Sequence, residues 1–501
     1  MNRAQKSILH LASSLGLNAV TILVSFVSIP IILNALGDVK FGLARTIFEW
    51  LGLYSVISVA YHSASSQILA RQKGTKEELS MLFESYFIFG IKILLYISPL
   101  ALFFVILSPY IVGASPELFR DTRWASFTGS LGLVFIPSLV FQAFLDADNR
   151  SYVVNSAMLV QRLLVTFLSI LTAILLKSIA GQLLALLAGQ IIFFGLIIYK
   201  SELRVKYWGE KKWKFNLKEQ GYWKGMLPFM MIDAAGKLGL SADTILISLL
   251  LGPADVTKFY LWIRIPTMIM GQLVSLGNAI WAGFTQVFNE GGDARSLFLR
   301  MAKIVSLISS ACGGTIFLFN SDVLEVWLGR GFHLPIAFNI LVAVNIYAIS
   351  LIAFFGWILT ATRNEVEFSR ASLVSSLINV SVSFIATLKF GLLGPVIGSF
   401  IGYGIVKISW LMGLLKNKIN LTVWDLLQVT LFPILLSAFY FNLIDQLREP
   451  WGLLQMNWLR LIISGLVANI FYLFLGWLIL LNRSEKTYWT LRFKNIMGRT
   501  P

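Results

Sequence analysis

The sequence predicts an all-α polytopic membrane protein of about fourteen transmembrane helices, arranged as two parallel six-helix bundles and two further C-terminal helices. Three observations predict it. The 501 residues are 57% hydrophobic and only 13% charged, where a soluble domain carries about 25% charged residues. Long apolar runs follow one another with lysine and arginine concentrated in alternate loops. Phrases of the first half return in the second at a nearly constant spacing.

A helix needs about 20 apolar residues to cross the hydrocarbon core. Segments of this kind lie at 9–35, 42–65, 81–112, 124–146, 153–176 and 180–199. After a basic stretch come 224–251, 256–287, 299–320, 335–360, 368–388 and 392–414, then 425–446 and 457–481. The apolar stretch that begins near residue 9 is too long for a signal-peptide core of roughly 7–15 residues, so the first span is expected to be retained. Cys312 is the single cysteine and falls inside a span, which excludes a disulfide framework.

Loop charge sets the orientation. Lysine and arginine are roughly threefold more frequent in the N-terminus, alternate loops and C-terminal tail than in the complementary set, which the positive-inside rule assigns to the cytoplasm. Both termini are then cytoplasmic. The richest basic stretch, YKSELRVKYWGEKKWKFNLKEQGYWKG, interleaves aromatic and basic residues. Beside a membrane span it is expected to meet anionic lipid headgroups. A chain that is mostly membrane helix leaves no room for a nucleic-acid domain.

The repeat appears at several places. LGDVKFGLAR at Leu36–Arg45 returns as LGPADVTKFYLWIR at Leu251–Arg264. GQLLALLAG at Gly181–Gly189 aligns with GPVIGSFIG at Gly394–Gly402. LDADNRSYVVNSAMLV at Leu145–Val160 aligns with LTATRNEVEFSRASLV at Leu359–Val374. Each piece occupies the same place in its half. Six spans per copy is an even number, so both copies enter the membrane in one direction, as in parallel-repeat transporters. The expected domains are 1–200 and 224–415 for the two bundles, 201–223 for a basic cytoplasmic linker, 416–482 for two extra helices and 483–501 for a basic tail. Small residues at every fourth position in the glycine phrases are expected to pack helices closely.

Ionisable residues at membrane depth are costly and usually face a cavity or a partner. The cations are Arg45, Lys92, Arg162, Lys237, Arg264 and Lys407; the acids are Glu49, Asp233 and Asp243. Arg45–Glu49 and Asp233–Lys237 are spaced to pair along one helix. Lys407 is placed to snorkel to the cytoplasmic edge, and His62 reads as a satisfied polar residue. An excess of cations suits an anionic cargo, and arginine suits phosphate through its fork of donors. Arg45, Lys92, Arg162, Lys237 and Arg264 are therefore the candidate cargo-binding residues; Glu49, Asp233 and Asp243 are candidates for ion coupling. No metal-ligand cluster, nucleophile elbow or phosphate loop is present in the sequence, and no cofactor is expected.

Two six-helix halves, two extra spans, the repeated LG–DV–K turn and VLEVWLG at Val323–Gly329 resemble the polysaccharide flippases of the multidrug/oligosaccharidyl-lipid/polysaccharide exporter superfamily. The resemblance covers nearly the whole chain and implies a non-enzymatic function. It implies translocation of undecaprenyl-pyrophosphate-linked oligosaccharide repeat units from the cytoplasmic to the outer leaflet by alternating access. It also implies partnership with a polysaccharide polymerase and chain-length machinery. In the related lipid II flippases, arginines of the second and eighth spans line the central cavity; Arg45 and Arg264 occupy those spans here. The first-span arginine of those relatives is missing, and Asn18 stands near mid-membrane instead. A lipid II flippase and a cation-coupled multidrug exporter are the rival readings. The extra pair of spans and the cationic bias weigh against the exporter. A membrane glycan polymerase or ligase is disfavoured by short outer loops.

Overall fold

The structure is a computed structural model. It describes the chain apart from residues 1–2, 72–75, 202–218, 330–333, 363, 449–456 and 497–501. Most of the basic linker, the end of the tail and His333 lie outside the described residues. The predicted segments are mainly helical, and 124–146 is broken by a turn at 136–138. Nine described helices, or ten if one bent pair counts as a span, are long and apolar enough to cross a membrane. Two of the nine, Gly16–Ala70 and Glu365–Lys418, are 55 and 54 residues long, over twice the length a single crossing needs. The protein is thus an all-α polytopic membrane protein. Its contacts divide it into two compact units, Met1–Lys258 and Phe259–Pro501.

The first unit opens with α1 (Arg3–Arg71), a continuous run of two arms that bend at Gly37, where φ is 76° and ψ 168°. Only glycine holds that conformation cheaply. Then follow α2 (Lys76–Ile111), α3 (Phe119–Ser130), α4 (Leu139–Ala147), α5 (Ser151–Leu176), α6 (Ile179–Lys200) and α7 (Glu219–Leu250). A corner at Gly252, φ 104°, starts α8 (Pro253–Asn289). Gly37 and Gly252 are the two glycines of the repeated Leu-Gly phrase. The phrase is thus a corner between consecutive long helices, written once in each half.

In the second unit lie α9 (Ala294–Leu328), α10 (Ile336–Ala361) and α11 (Glu365–Phe390). The next membrane segment is built from α12 (Gly394–Ser399), a π-helical turn at Phe400–Lys407 and α13 (Ile408–Lys418). The chain ends with α14 (Val423–Arg448), α15 (Trp458–Ile479) and α16 (Arg483–Ile496).

The glycine phrases pack as expected. A Cβ at Gly181 would lie 2.9 Å from Thr172 Cβ, and one at Gly394 would overlap the Thr387 amide nitrogen. Gly189 abuts Val165 and Gln161 on α5, as Gly402 abuts Ser375 and Asn379 on α11. The two hairpins, α5–α6 and α11–α12, thus use matching residues some 213–215 positions apart. Contact this close gains dispersion where lipid supplies no hydrophobic drive. In the first unit Asp121 of α3 accepts from Ser178 Oγ and from the amides of Ile179 and Ala180, capping α6 from a neighbouring helix. Lys40 donates to the Lys177 carbonyl at 2.7 Å and covers the end of α5.

The extra helices dock on α9 through polar groups. Pro433 lacks the N–H that the Val429 carbonyl would otherwise accept in α14. Ser306 and Tyr347 donate to that carbonyl instead, at 2.6 and 3.1 Å. Tyr472 of α15 donates to the Pro433 carbonyl. Two capping boxes also serve as anchors. Asp425 pairs reciprocally with Thr422 and accepts from Arg295 at 2.7 Å; Glu485 pairs with Asn482 and accepts from the buried Lys303 at 3.0 Å.

Candidate functional site

The second arm of α1 and α7 run antiparallel in the first unit and share one seam. On α7, Met226, Asp233, Lys237, Ser241, Thr244 and Ser248 recur at helical spacing and form one face. Ser241 Oγ donates to Glu49 Oε2 at 2.8 Å. Lys237 Nζ lies 4.0 Å from the place a Cβ would take on Gly52.

Within the seam Arg45 and Glu49 form the expected pair, Nη2 to Oε1 at 3.0 Å, with side chains 29% and 23% exposed. Glu49 is therefore held from both sides, by Arg45 on its own helix and by Ser241 on α7. The Arg45 guanidinium also lies 5.8 Å from the Phe48 ring. Asp233 stands one turn from Lys237, and its buried Oδ2 has no hydrogen-bond partner among the described residues. These four ionisable groups sum to zero charge, so this seam by itself is a set of balanced charges and not a cationic trap. Asp243 lies off the shared face of α7 and has bonds of its own.

The remaining candidates stand elsewhere. Arg162 is exposed, yet lies on the α5 face that carries buried Ser169 and Ala173, away from the apolar strip of Val160, Leu163, Phe167 and Ile174. Lys92 of α2 shares a face with the exposed Tyr96, Phe103 and Tyr110, and has an interaction of its own. Arg264 belongs to the second unit. Its guanidinium lies 5.6 Å from the Tyr260 ring, and its buried Nε has no hydrogen-bond partner among the described residues. Both phrase arginines thus rest beside an aromatic ring about one turn away on their own helix, a contact that favours a cation without neutralising it.

Lys407 differs from the expectation that it snorkels. It is 9% exposed, with its ammonium 5.2 Å from the Phe368 ring and 5.6 Å from the Tyr403 ring. It ends a π-helical turn that follows the tight Gly398 and Gly402 contacts with α11. His62 is a satisfied polar residue: Nε2 lies 3.1 Å from Asp146 Oδ2 on α4. Asp146 and Ser241 were not singled out in sequence. Ser241 did carry a signal, one turn beyond Lys237; Asp146 lies 84 residues from its partner and carried none. Among the described residues no group of three or more His, Cys, Asp or Glu could hold a metal ion.

No family model matches the sequence. An uncharacterized membrane protein, EpsK of Bacillus subtilis (strain 168), is 24% identical over 511 residues, covering 94% of each chain. Among solved structures, the lipid II flippase MurJ in an inward closed conformation has a TM-score of 0.72 at 16% identity, covering 91% of this chain and 97% of that one. An inward-facing MATE multidrug transporter of the MOP superfamily has a TM-score of 0.58 at 15% identity, covering 82% and 94%. A MOP superfamily transporter from Pyrococcus furiosus, described by the reverse polarity of its binding pocket, has a TM-score of 0.54 at 13% identity, covering 84% and 96%. The chain therefore has the fold of the MOP-superfamily flippases and transporters.

Proposed function

We propose that the protein is a flippase that moves undecaprenyl-pyrophosphate-linked oligosaccharide repeat units from the cytoplasmic to the outer leaflet by alternating access. It does so in the bacterial inner membrane, with both termini cytoplasmic and 1–200 and 224–415 as repeated bundles. The observation that carries this reading is the Arg45–Glu49–Ser241 chain. An arginine at membrane depth is partly exposed, and its carboxylate partner is also held by α7. A pyrophosphate oxygen competes with Glu49 for the Arg45 fork, and arginine binds phosphate bidentately. Winning that competition frees Glu49 to shift, which weakens the tie to α7. Cargo binding then loosens the seam on which a rocking motion depends. Arg264, Arg162, Lys237 and Lys92 add positive charge along the route, and the lipid tail stays in the bilayer. A polysaccharide polymerase and chain-length machinery would receive the flipped unit, and anionic lipids would meet the basic loops.

The balance of charge in the seam favours one second reading. Two carboxylates, Glu49 and Asp233, lie in the seam, and a cation-coupled multidrug exporter would use acids of this kind. A lipid II flippase remains the rival within the same chemistry. The test is complementation of a strain lacking its repeat-unit flippase, at matched membrane levels, with Arg45→Ala, Arg264→Ala, their combination and Arg264→Lys. A charge-assisted bond is worth roughly 1.5–3 kcal/mol, so each alanine should weaken cargo binding about ten- to a hundredfold. Lysine should rescue in part, because it keeps charge and loses the fork. Full polymer production by the double alanine variant would sink the proposal. Rescue of a strain lacking its lipid II flippase would move the cargo to the rival.

A further inference from the structure

The short helix α3 and the 3-10 turn at Leu131–Phe135 that continues it carry a stripe that the flippase reading leaves unused. Arg120, Arg123, Trp124, Phe127, Leu131 and Val134 follow the helical repeat, and all six are exposed. The opposite face is buried. Thr122, Ala125 and Ser126 pack inward, and Asp121 turns away to cap α6. The stripe is graded along its length. It begins with two guanidinium groups, passes to two aromatic rings whose centres lie 5.9 Å apart, and ends in aliphatic side chains. Tyr110, exposed at the end of α2, sets its ring 5.0 Å from that of Phe119, beside the start of the stripe.

The two arginines stand against three trends. With both termini cytoplasmic, as proposed above, α3 starts at the outer surface, where the positive-inside rule makes basic residues scarce. Like charges one turn apart on a helix repel. The start of a helix also disfavours cations. Among the described residues neither arginine forms an ion pair, nor does Glu117 in the preceding turn, and both oxygens of Asp121 are spent on α6. One anion between the two guanidiniums offsets all three costs. The side chains beneath say what that anion carries. A soluble anion or an acidic peptide has no use for exposed Trp124, Phe127, Leu131 and Val134 at successively greater depth in the bilayer; a lipid does. We propose that the stripe binds an anionic phospholipid of the outer leaflet. Its phosphate sits on Arg120 and Arg123, its glycerol region against Trp124 and Tyr110, and an acyl chain along Phe127, Leu131 and Val134. Arginine suits the phosphate through its fork of donors, and tryptophan and tyrosine favour the headgroup level. The site differs from the basic cytoplasmic loops in its leaflet and in its grading with depth, and it goes beyond the flippase reading because it involves no cargo.

The test puts one fluorophore on the stripe. Phe127→Cys in a Cys312→Ala background is labelled with nitrobenzoxadiazole, and the full chain is reconstituted in phosphatidylcholine vesicles that contain a fixed share of phosphatidylglycerol. Quenching is measured with a nitroxide on the acyl chain of the phosphatidylglycerol, then with the same nitroxide on the phosphatidylcholine. The ratio of the two, per mole of labelled lipid, reports the local preference for the anionic lipid, and the depth of the fluorophore cancels. Phe167→Cys, on the apolar strip of α5, is the control. The ratio at 127 should exceed that at 167 by about three- to tenfold. Arg120→Gln with Arg123→Gln should bring it down to the control value. Equal ratios at the two positions in the parent would overturn the proposal, as would a preference that survives the double glutamine variant. If that variant fails to fold, the single variants decide: each should lower the ratio, and an unchanged ratio in both would overturn the site. No lipid-linked sugar is present in these vesicles, so a failure of the cargo assignment in the complementation test leaves this result standing.

Discussion

Glu49 accepts from two partners whose demands differ. Arg45 wants a full negative charge at 3.0 Å, whereas Ser241 needs only an acceptor oxygen at 2.8 Å. Glu49→Gln separates the two. It keeps an oxygen for Ser241 and removes the charge that competes with a phosphate for Arg45. A charged competitor in a partly hydrated site is worth about 1 kcal/mol or somewhat less. Glu49→Gln should therefore tighten binding of a short-chain lipid pyrophosphate by about two- to fivefold in detergent-solubilised protein, while slowing transport. Weaker binding would mean that Glu49 orients Arg45 for the cargo and does not compete with it. Lys407 makes a different point. Aromatic faces can take the place of water around an ammonium, so depth along a span does not decide whether a lysine escapes to the edge.

At the scale of helices, what the sequence shows depends on how local the cause is. The all-α, many-helix class was legible because most segments carry their own apolar length. The corner glycines were legible as a repeated phrase, although not as the conformations at Gly37 and Gly252. The Arg45–Glu49 pair was legible from its spacing of four. Ser241, 192 residues from Glu49, and Glu485, 182 from Lys303, were not, because nothing local encodes those partners. Their helix ends did carry a signal: Thr422 to Asp425 and Asn482 to Glu485 are capping boxes. The structure adds that their acids also bind Arg295 and Lys303 of α9. The Lys303–Glu485 pair is buried, at 7% and 6% side-chain exposure. Breaking one side of such a pair costs about 3–5 kcal/mol, whereas removing both charges costs much less. Lys303→Met should thus lower the thermal unfolding midpoint in detergent clearly. Lys303→Met with Glu485→Gln, which keeps an oxygen for the Asn482 cap, should recover most of it. A double variant no more stable than Lys303→Met would show that the cost lies in packing and not in an orphaned charge.

For the whole molecule, the compact units and the sequence repeat divide the chain at different places. The repeat begins its second copy at α7, after the basic linker. By contacts, α7 belongs with the first unit, because its polar face lies along the second arm of α1 and Ser248 near its end donates to the Val112 carbonyl. The expected second copy, 224–415, thus has its first helix packed within the first unit. A covalent link that duplicates a packed seam adds effective concentration and little structure. Expressing 1–209 and 210–501 as separate polypeptides should then give fragments that co-purify in detergent and restore polymer production to at least about a tenth of the intact level. A cut at 251/252 leaves α7 on the first fragment, so the α7 face no longer bridges the break and the Thr257–Asp38 bond and the Pro253–Gly42 contact remain across it. It also severs the second corner phrase at Gly252. That pair should co-purify poorly and fail to complement. Equal behaviour of the two split pairs would mean that the α1–α7 seam does not join the copies, and α7 would then be a passenger in the first unit.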